Sequence, residues 1–366
     1  MKGMNKMKHR FTKILSLMLA LIMLCCAFAS CTPASEVAVI TYGDYKVSRA
    51  IFQYLCCTEK TTYLYEAYNI TPDDLSSSQL QDNPQIWAAT DSSGTTVADT
   101  LKMQVLETLQ TYLYFCQYAK DQGYELNREQ ENMVKDEFAS LIASSFDDKK
   151  EFNANMKVYG INYDQMLEYN MIQALAYQGE ELLFGENGPS RITKDAAKRY
   201  FKGNYITVDC IFINTANKTF PNGKVVVLPQ EEKDAKIALA QDLENKLRQG
   251  EDFAALCREY ADQPMEEDTP EKGYTFEKGG FVNAEAEEKA FAMAEGEIAR
   301  VDVEGGTYLL RRRALDQDVF EEQSDAVIAL LKSAKKTALL ADAQKDFKLD
   351  EAFLDELDVA ALQHLV

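Results

Sequence analysis

The sequence predicts an α+β protein in which long helices flank a compact segment, residues 205–313, that begins and ends in strands. Three observations carry this. Apolar residues recur at helical spacing through most of residues 48–202 and again over 325–347. The runs from Tyr205 to Ile213 and from Thr307 to Leu310 are rich in β-branched, aromatic and aliphatic residues. Between those runs the chain is punctuated by Gly250, Gly279-Gly280 and Gly296.

The first thirty residues bear on the compartment. Lys2, Lys6, Lys8, Arg10 and Lys13 precede any acid, and an apolar run from Ile14 to Ala29 follows. A basic start, a short apolar core and small residues before a cut mark a secretory signal peptide rather than a retained spanning helix. Its end, Phe28-Ala-Ser-Cys31, resembles a bacterial lipobox, with Phe28 where such boxes usually carry Leu. The resemblance implies that residues 1–30 are removed and that Cys31 carries lipid, anchoring the protein to the outer face of the cell membrane. An ordinary signal peptide cut nearby is the alternative. Residues 1–13 hold five of the 39 basic residues and none of the 59 acidic ones, so removal deepens the net charge from −20 to about −25. A surface of that sign repels phosphate backbones and argues against a nucleic-acid partner.

After position 30 the cysteines are Cys31, Cys56, Cys57, Cys116, Cys210 and Cys257, with no zinc-ligand spacing among them. They read as buried thiols. Past the signal the one histidine is His364, close to the end, which argues against histidine triads, histidine metal sites and imidazole acid–base chemistry. No metal or other cofactor is expected.

Taken in order, Val37 to Gly43 reads as a strand ending in the turn Gly43-Asp44, and Ser48 caps the helix that follows. Residues 71–99 are polar, with Pro72 and Pro84, and read as a loop region with room for one short helix; Trp87 within it is a core anchor. A long helix then carries Leu101, Val105, Leu109, Tyr112, Cys116 and Ala119 on one stripe and stops at Gly123. Asn127 with Gln130, and Asn162 with Gln165, are capping-box pairs that open two further helices. Phe152 to Tyr159 is a short helix stopped by Gly160, and Thr193 caps a helix to Lys202. Asn214 to Gln230 reads as a hairpin-like excursion around Pro221-Asn-Gly223, and Lys233 to Arg248 as a helix with Ile237, Leu239, Leu243 and Leu247 inward. The acidic run Met265 to Lys272 is a solvated loop, and Arg311-Arg-Arg313 is a strand end paired with acidic side chains. A last long helix places Val327, Leu330, Leu331, Ala334, Ala338 and Ala341 on one face, which requires a docking partner.

Within residues 205–313, the order of the first strand, Gly250-Glu-Asp-Phe253, Lys278-Gly-Gly-Phe281, Gly296-Glu-Ile298 and Thr307-Tyr-Leu-Leu310 resembles the parvulin family of peptidyl-prolyl isomerases. The flanks, with Lys120 to Gly123, Val158 to Ile161, Ile192 to Asp195 and Tyr200-Phe201, resemble extracytoplasmic foldases of the PrsA and SurA type. The resemblance implies four parts: a lipoprotein signal at 1–30, a helical chaperone domain at 31–203, a parvulin-like domain with a small antiparallel sheet at 204–314, and a helical segment at 315–366 that packs back on the first.

The resemblance also implies site residues. Cys210 stands at the family's first histidine and Tyr308 at its second; Gln263, or Asp262 if the register slips by one, stands where the family uses Asp or Cys. Phe276 and Phe281 fall at the floor of the proline pocket, Phe281 in place of methionine, Phe291 matches an aromatic beside it, and Ala286 replaces a second phenylalanine. Isomerising an X–Pro bond needs no nucleophile, because the barrier of about 18–20 kcal/mol comes from amide resonance and falls when the twisted amide is bound. Two functions follow as expectations: a parvulin-type isomerase with weakened activity, or a chaperone that binds unfolded, proline-containing secreted polypeptides without catalysis.

Overall fold

The structure, a computed structural model, describes residues 37–68, 83–219 and 225–363. The signal segment, Cys31, most of the polar stretch before Trp87 and the Pro221-Asn-Gly223 turn lie outside the described residues. The chain forms an α+β structure in two compact units, one made of Met1–Arg191 with Lys335–Val366 and the other of Ile192–Ala334. No helix among the described residues is long and apolar enough to cross a membrane.

The first unit opens with β1 (Ala38–Tyr42) and β2 (Tyr45–Ser48), then α1 (Arg49–Tyr68), with the Ser48 hydroxyl accepting from the Ile51 amide as a cap should. A short α2 (Pro84–Ala88) carries Trp87, which is 2% exposed and packs with Leu64, Ile86 and Leu101. The long helix is α3 (Val97–Asp121), whose buried stripe is Leu101, Val105, Leu109, Leu113, Cys116 and Ala119. Leu113 takes the inward place assigned above to Tyr112, which is half-buried and keeps its hydroxyl near the Gln173 amide. Next come α4 (Arg128–Ala143), α5 (Lys149–Met156) and α6 (Tyr163–Phe184); both expected capping boxes are formed. The chain returns through the second half of α12 (Gln317–Ala343), and β9 (Lys348–Leu349) pairs with β1, so residues some three hundred positions apart close one three-stranded sheet, β2-β1-β9. The Arg49 Nε donates to Asp350 Oδ2 at 2.7 Å beside that junction. A six-residue α13 (Glu351–Glu356) and a short 3₁₀ turn at Val359–Ala361 finish the unit.

The second unit starts with α7 (Lys194–Asn204), capped by Thr193, and continues into β3 (Tyr205–Asn214). After the hairpin β4 (Asn217–Thr219) and β5 (Val225–Val227) come α8 (Gln230–Arg248), α9 (Phe253–Tyr260), α10 (Thr269–Lys272), β6 (Tyr274–Glu277), α11 (Ala284–Ala292), β7 (Ile298–Val303) and β8 (Gly306–Arg313). The main sheet is antiparallel in the order β6-β3-β8-β7. One face packs on α8 and α9 through Ile211, Ile213, Leu243, Leu247, Phe253 and Leu309. The other packs on α11 through Ile206, Val208, Ala286, Ala290 and Leu310. β3 is covered on both faces, which is why it reads as a nearly unbroken apolar run rather than an alternation. The inward stripe of α8 is Ala240, Leu243 and Leu247, while Ile237 is 45% exposed, contrary to expectation: the sheet covers a shorter length of this helix than its apolar periodicity spans. Leu330 on α12 is likewise exposed at 37%. Phe201 and Phe320, with Ala197 and Val327, tie α7 to the first half of α12 in this unit. Asp209, 2% exposed, receives Arg311 across the β3–β8 ladder at 2.7 Å and Arg313 at 3.3 Å, so two of the three clustered arginines neutralise one buried acid.

The α3–α6 contact depends on one glycine. A Cβ on Gly179 would lie 2.0 Å from the Phe115 carbonyl oxygen. Glycine inside a helix costs roughly 1 kcal/mol relative to alanine, and here that cost lets the two backbones approach. Gly179→Ala is therefore expected to destabilise the protein by a net ~1–3 kcal/mol, overpacking outweighing the gain in helix propensity. A lower midpoint of urea unfolding, followed by Trp87 emission, would show it.

Candidate functional site

Side chains two apart on a strand share a face. In β3 this places Ile206, Val208, Cys210 and Phe212 toward α11, and the register Phe212↔Tyr308 brings Tyr308 of β8 beside them. The Phe212 and Tyr308 rings are 4.5 Å apart between centroids. Gly306 makes that fit: a Cβ there would lie 2.4 Å from Phe212 Cε2. From Tyr308 the aromatic surface continues to Phe281 at 5.8 Å, from Phe281 to Phe276 at 4.8 Å, and from Phe276 to Phe291 at 6.0 Å, with Tyr274 6.5 Å from Phe281. Phe276, Phe281, Phe291, Cys210 and Tyr308 are thus brought to one face, and Phe212 and Tyr274 join them. Ala286, where a phenylalanine was the family's choice, is fully buried against the sheet.

The thiol and the phenols of this face are neutral. Burial raises the Cys210 thiol well above the ordinary range, with Cys257 and Asp209 adding to the shift. Burial also raises the Tyr308 phenol, helped by Cys210. Among the described residues the Tyr308 hydroxyl makes no hydrogen bond, so its proton is open to an incoming acceptor. Desolvation raises Tyr274 as well, with Gln263 close enough to oppose the shift.

Gln263 and Asp262 do different work. β6 pairs with β3 only from Tyr205 to Val208, which leaves the next stretch of that edge without a strand. The loop after α9 fills it. The Asp262 amide donates to the Phe212 carbonyl at 2.9 Å, Gln263 Oε1 accepts from the Phe212 amide at 2.8 Å, and Gln263 Nε2 donates to the Cys210 carbonyl at 2.9 Å. Asp262 accepts from the Asn214 amide at 2.9 Å and pairs with Lys236 at 2.8 Å. Both side chains replace the missing ladder, since buried backbone groups need partners. They hold the backbone beneath the aromatic face, with the Gln263 amide engaged at both its oxygen and its nitrogen and the Asp262 carboxylate engaged by the Asn214 amide and Lys236.

One residue of the site was not singled out by the sequence. Glu287, on the first turn of α11 and 8% exposed, accepts the Gly279 amide at 2.8 Å and the Phe281 amide at 2.9 Å. It fixes the turn that carries Phe281 over the floor. The available signals were an acid in the first turn of a helix capped by Asn283 and a Gly-Gly turn immediately before it. Among the described residues no group of three His, Cys, Asp or Glu is placed to hold a metal, and the five described cysteines are free and buried.

These contacts give a pH-dependent expectation. The Gly279 and Phe281 amides hold the Glu287 carboxyl below its ordinary 4.5. A lowered folded value means that the stabilisation is complete above pH 4.5 and is lost as pH falls through the folded value. Comparing urea midpoints of the wild type and Glu287→Gln across pH should show a constant wild-type advantage at neutral pH that narrows only in acid. A gap that does not change with pH would mean that the carboxylate is not what holds the turn.

Comparison with known proteins gives the following similarities. Residues 190–314 match the PPIC-type PPIase domain family. Foldase protein PrsA of Caldanaerobacter subterraneus subsp. tengcongensis is 22% identical over 334 residues, covering 90% of this chain and 91% of that protein. Among solved structures, the peptidylprolyl isomerase PrsA of Bacillus cereus aligns at 19% identity over 70% of this chain and 86% of its own, with a TM-score of 0.33. Foldase protein PrsA of Streptococcus pneumoniae aligns at 18% identity over 80% and 87%, with a TM-score of 0.24. Residues 190–314 are therefore similar to a PPIC-type PPIase domain, set in a chain similar to a PrsA foldase along nine-tenths of its length.

Proposed function

We propose that the protein is a lipid-anchored foldase on the extracytoplasmic face of the membrane, that its aromatic face binds unfolded and proline-containing segments of secreted polypeptides, and that it isomerises X–Pro bonds weakly. The observation that carries this reading is the continuous surface of Phe212, Tyr308, Phe281, Phe276 and Phe291 on one side of the rotamase sheet. Such rings hold a proline ring or another apolar side chain with little loss of side-chain entropy. Beside them, a neutral phenol can donate to an amide carbonyl, and stronger binding of the twisted amide than of the planar one is all that catalysis requires. Weak activity follows from the polar inventory: Cys210 is buried as a neutral thiol and Gln263 is committed to the β3 backbone.

A protease-coupled assay on a proline peptide tests the catalytic half. Low but measurable acceleration is expected, and Tyr308→Phe should reduce it roughly fivefold, the worth of one net hydrogen bond of about 1 kcal/mol, without changing suppression of aggregation of an unfolded protein. Absence of acceleration beside intact suppression would leave a binding chaperone with a non-catalytic parvulin domain, which the engagement of Gln263 and Asp262 favours as the second reading. The anchoring half rests on the Phe28-Ala-Ser-Cys31 motif. Cys31→Ser should abolish incorporation of labelled palmitate and release the protein from the membrane fraction; retention of label would overturn it.

A further inference from the structure

Large apolar side chains exposed to water are scattered singly over most of the described residues, but Val225, Val226 and Val227 of β5 follow one another at 58%, 41% and 71% exposed. Val225 and Val227 point to one face of the β4–β5 hairpin, and Val226 points to the other, opposite Lys218. Both faces of β5 therefore stand clear of the unit. Among the described residues β5 pairs with β4 alone, so its outer edge is open as well. The base of the hairpin, in contrast, is fixed. Leu228 is 8% exposed and donates its amide to the Ala216 carbonyl at 2.9 Å, Thr215 donates to the Gly305 carbonyl at 2.9 Å, and Asn214 Oδ1 accepts the Ala216 and Asn217 amides at 2.9 and 3.1 Å.

Shape and charge select what covers these valines. A flat protein surface covers one face of a hairpin, and an added strand covers one edge; either leaves a valine in water. A lipid surface closes around whatever enters it and covers all three. The chain as a whole carries a net charge of −20 and is repelled by anionic headgroups, except where acids are missing. From Cys210 to Gln230 it holds two lysines and no acid, its longest acid-free run past residue 35, and the hairpin lies inside that run. Depth is limited by the backbone, because the N–H and C=O groups on the open edge of β5 would be left unpaired in hydrocarbon. The valines accordingly enter the headgroup boundary and stop short of the acyl core.

We propose that the β4–β5 hairpin inserts Val225, Val226 and Val227 into the surface of a lipid bilayer, giving the second unit a membrane contact of its own. The inference takes its setting from the anchored reading above. Three side chains are too few to retain the protein by themselves, so Cys31→Ser still leaves the membrane fraction. The unacylated chain, residues 31–366 with Cys31→Ser, would be titrated with equimolar phosphatidylglycerol–phosphatidylethanolamine vesicles carrying brominated acyl chains, which quench nearby tryptophan. Emission from Val226→Trp should shift to the blue and be quenched. The native Trp87, buried in the other unit, and Met103→Trp, at a helix position 52% exposed, should show neither change. Val225→Asp with Val227→Asp should weaken vesicle binding about tenfold or more, while the urea midpoint stays put because both side chains already face water. Unquenched Val226→Trp, equal quenching at Met103→Trp, or vesicle binding that survives the two aspartates overturns the inference. Valine-dependent self-association without vesicle binding would assign the hairpin to a second copy, and valine-dependent suppression of aggregation without it would assign the hairpin to polypeptide; either result overturns the lipid assignment. None of these outcomes bears on palmitate incorporation at Cys31, which decides the anchored reading separately.

Discussion

The pairing of β3 with β8 is the constraint on which the second unit depends. Because side chains alternate across a sheet, a one-residue slip of β3 against β8 would send Cys210 and Phe212 to the face opposite Tyr308 and bring Asp209 and Ile211 toward α11. The register is held from both sides of the ladder. On one face Asp209 takes Arg311 and Arg313, an arrangement that only the present pairing satisfies, since the two residues of the first pair stand directly opposite each other. On the other face the Phe212 ring sits where Gly306 has no side chain. The free edge of β3 is then completed by Gln263 and Asp262, so the strand beneath the aromatic face is supported along both edges.

The first unit is built on a different kind of closure. Its sheet needs β9, which the chain reaches only after the whole second unit has been traversed, and Asp350 meets Arg49 at the same junction. Bringing such distant residues together costs loop-closure entropy that local helices do not, although that cost grows only slowly with length. The helices α3 and α6 supply the compensating interior, with Gly179 letting their backbones come close. The final segment is held by ammonium–carbonyl contacts from Lys60 and Lys102 and by Leu354 and Val359, which join the same core.

What could be read from the sequence was what depends on neighbours in the chain. The capping boxes at Asn127 and Asn162, the Thr193 cap and the left-handed Gly160 all follow from residues within one turn of each other, and all are present. So does the alternation that aligns Cys210 with Phe212. The roles of Gln263, Glu287 and Lys60 were out of reach for the opposite reason. Gln263 answers an edge left open because β6 is four residues long, Glu287 meets a turn folded back onto its helix, and Lys60 finds carbonyls some three hundred residues away. Periodicity also misjudged Ile237, since it describes a helix and not the extent of the surface covering it.

The aromatic face has a chemical logic of its own. Proline isomerisation transfers no proton and breaks no bond, so a site for it can dispense with groups that titrate near neutrality. Here burial keeps the thiol and the phenol uncharged, Asp209 is paired with Arg311, and Glu287 is spent on backbone amides. An uncharged, ring-lined surface loses little by desolvation when an apolar segment covers it, whereas an ionised side chain at the same place would resist that covering. The same economy limits catalysis, because a single neutral donor stabilises the twisted amide less than a network of charge-assisted ones. In the proposed function, binding and weak isomerisation both trace to one feature, a face made of rings whose thiol and phenol are uncharged.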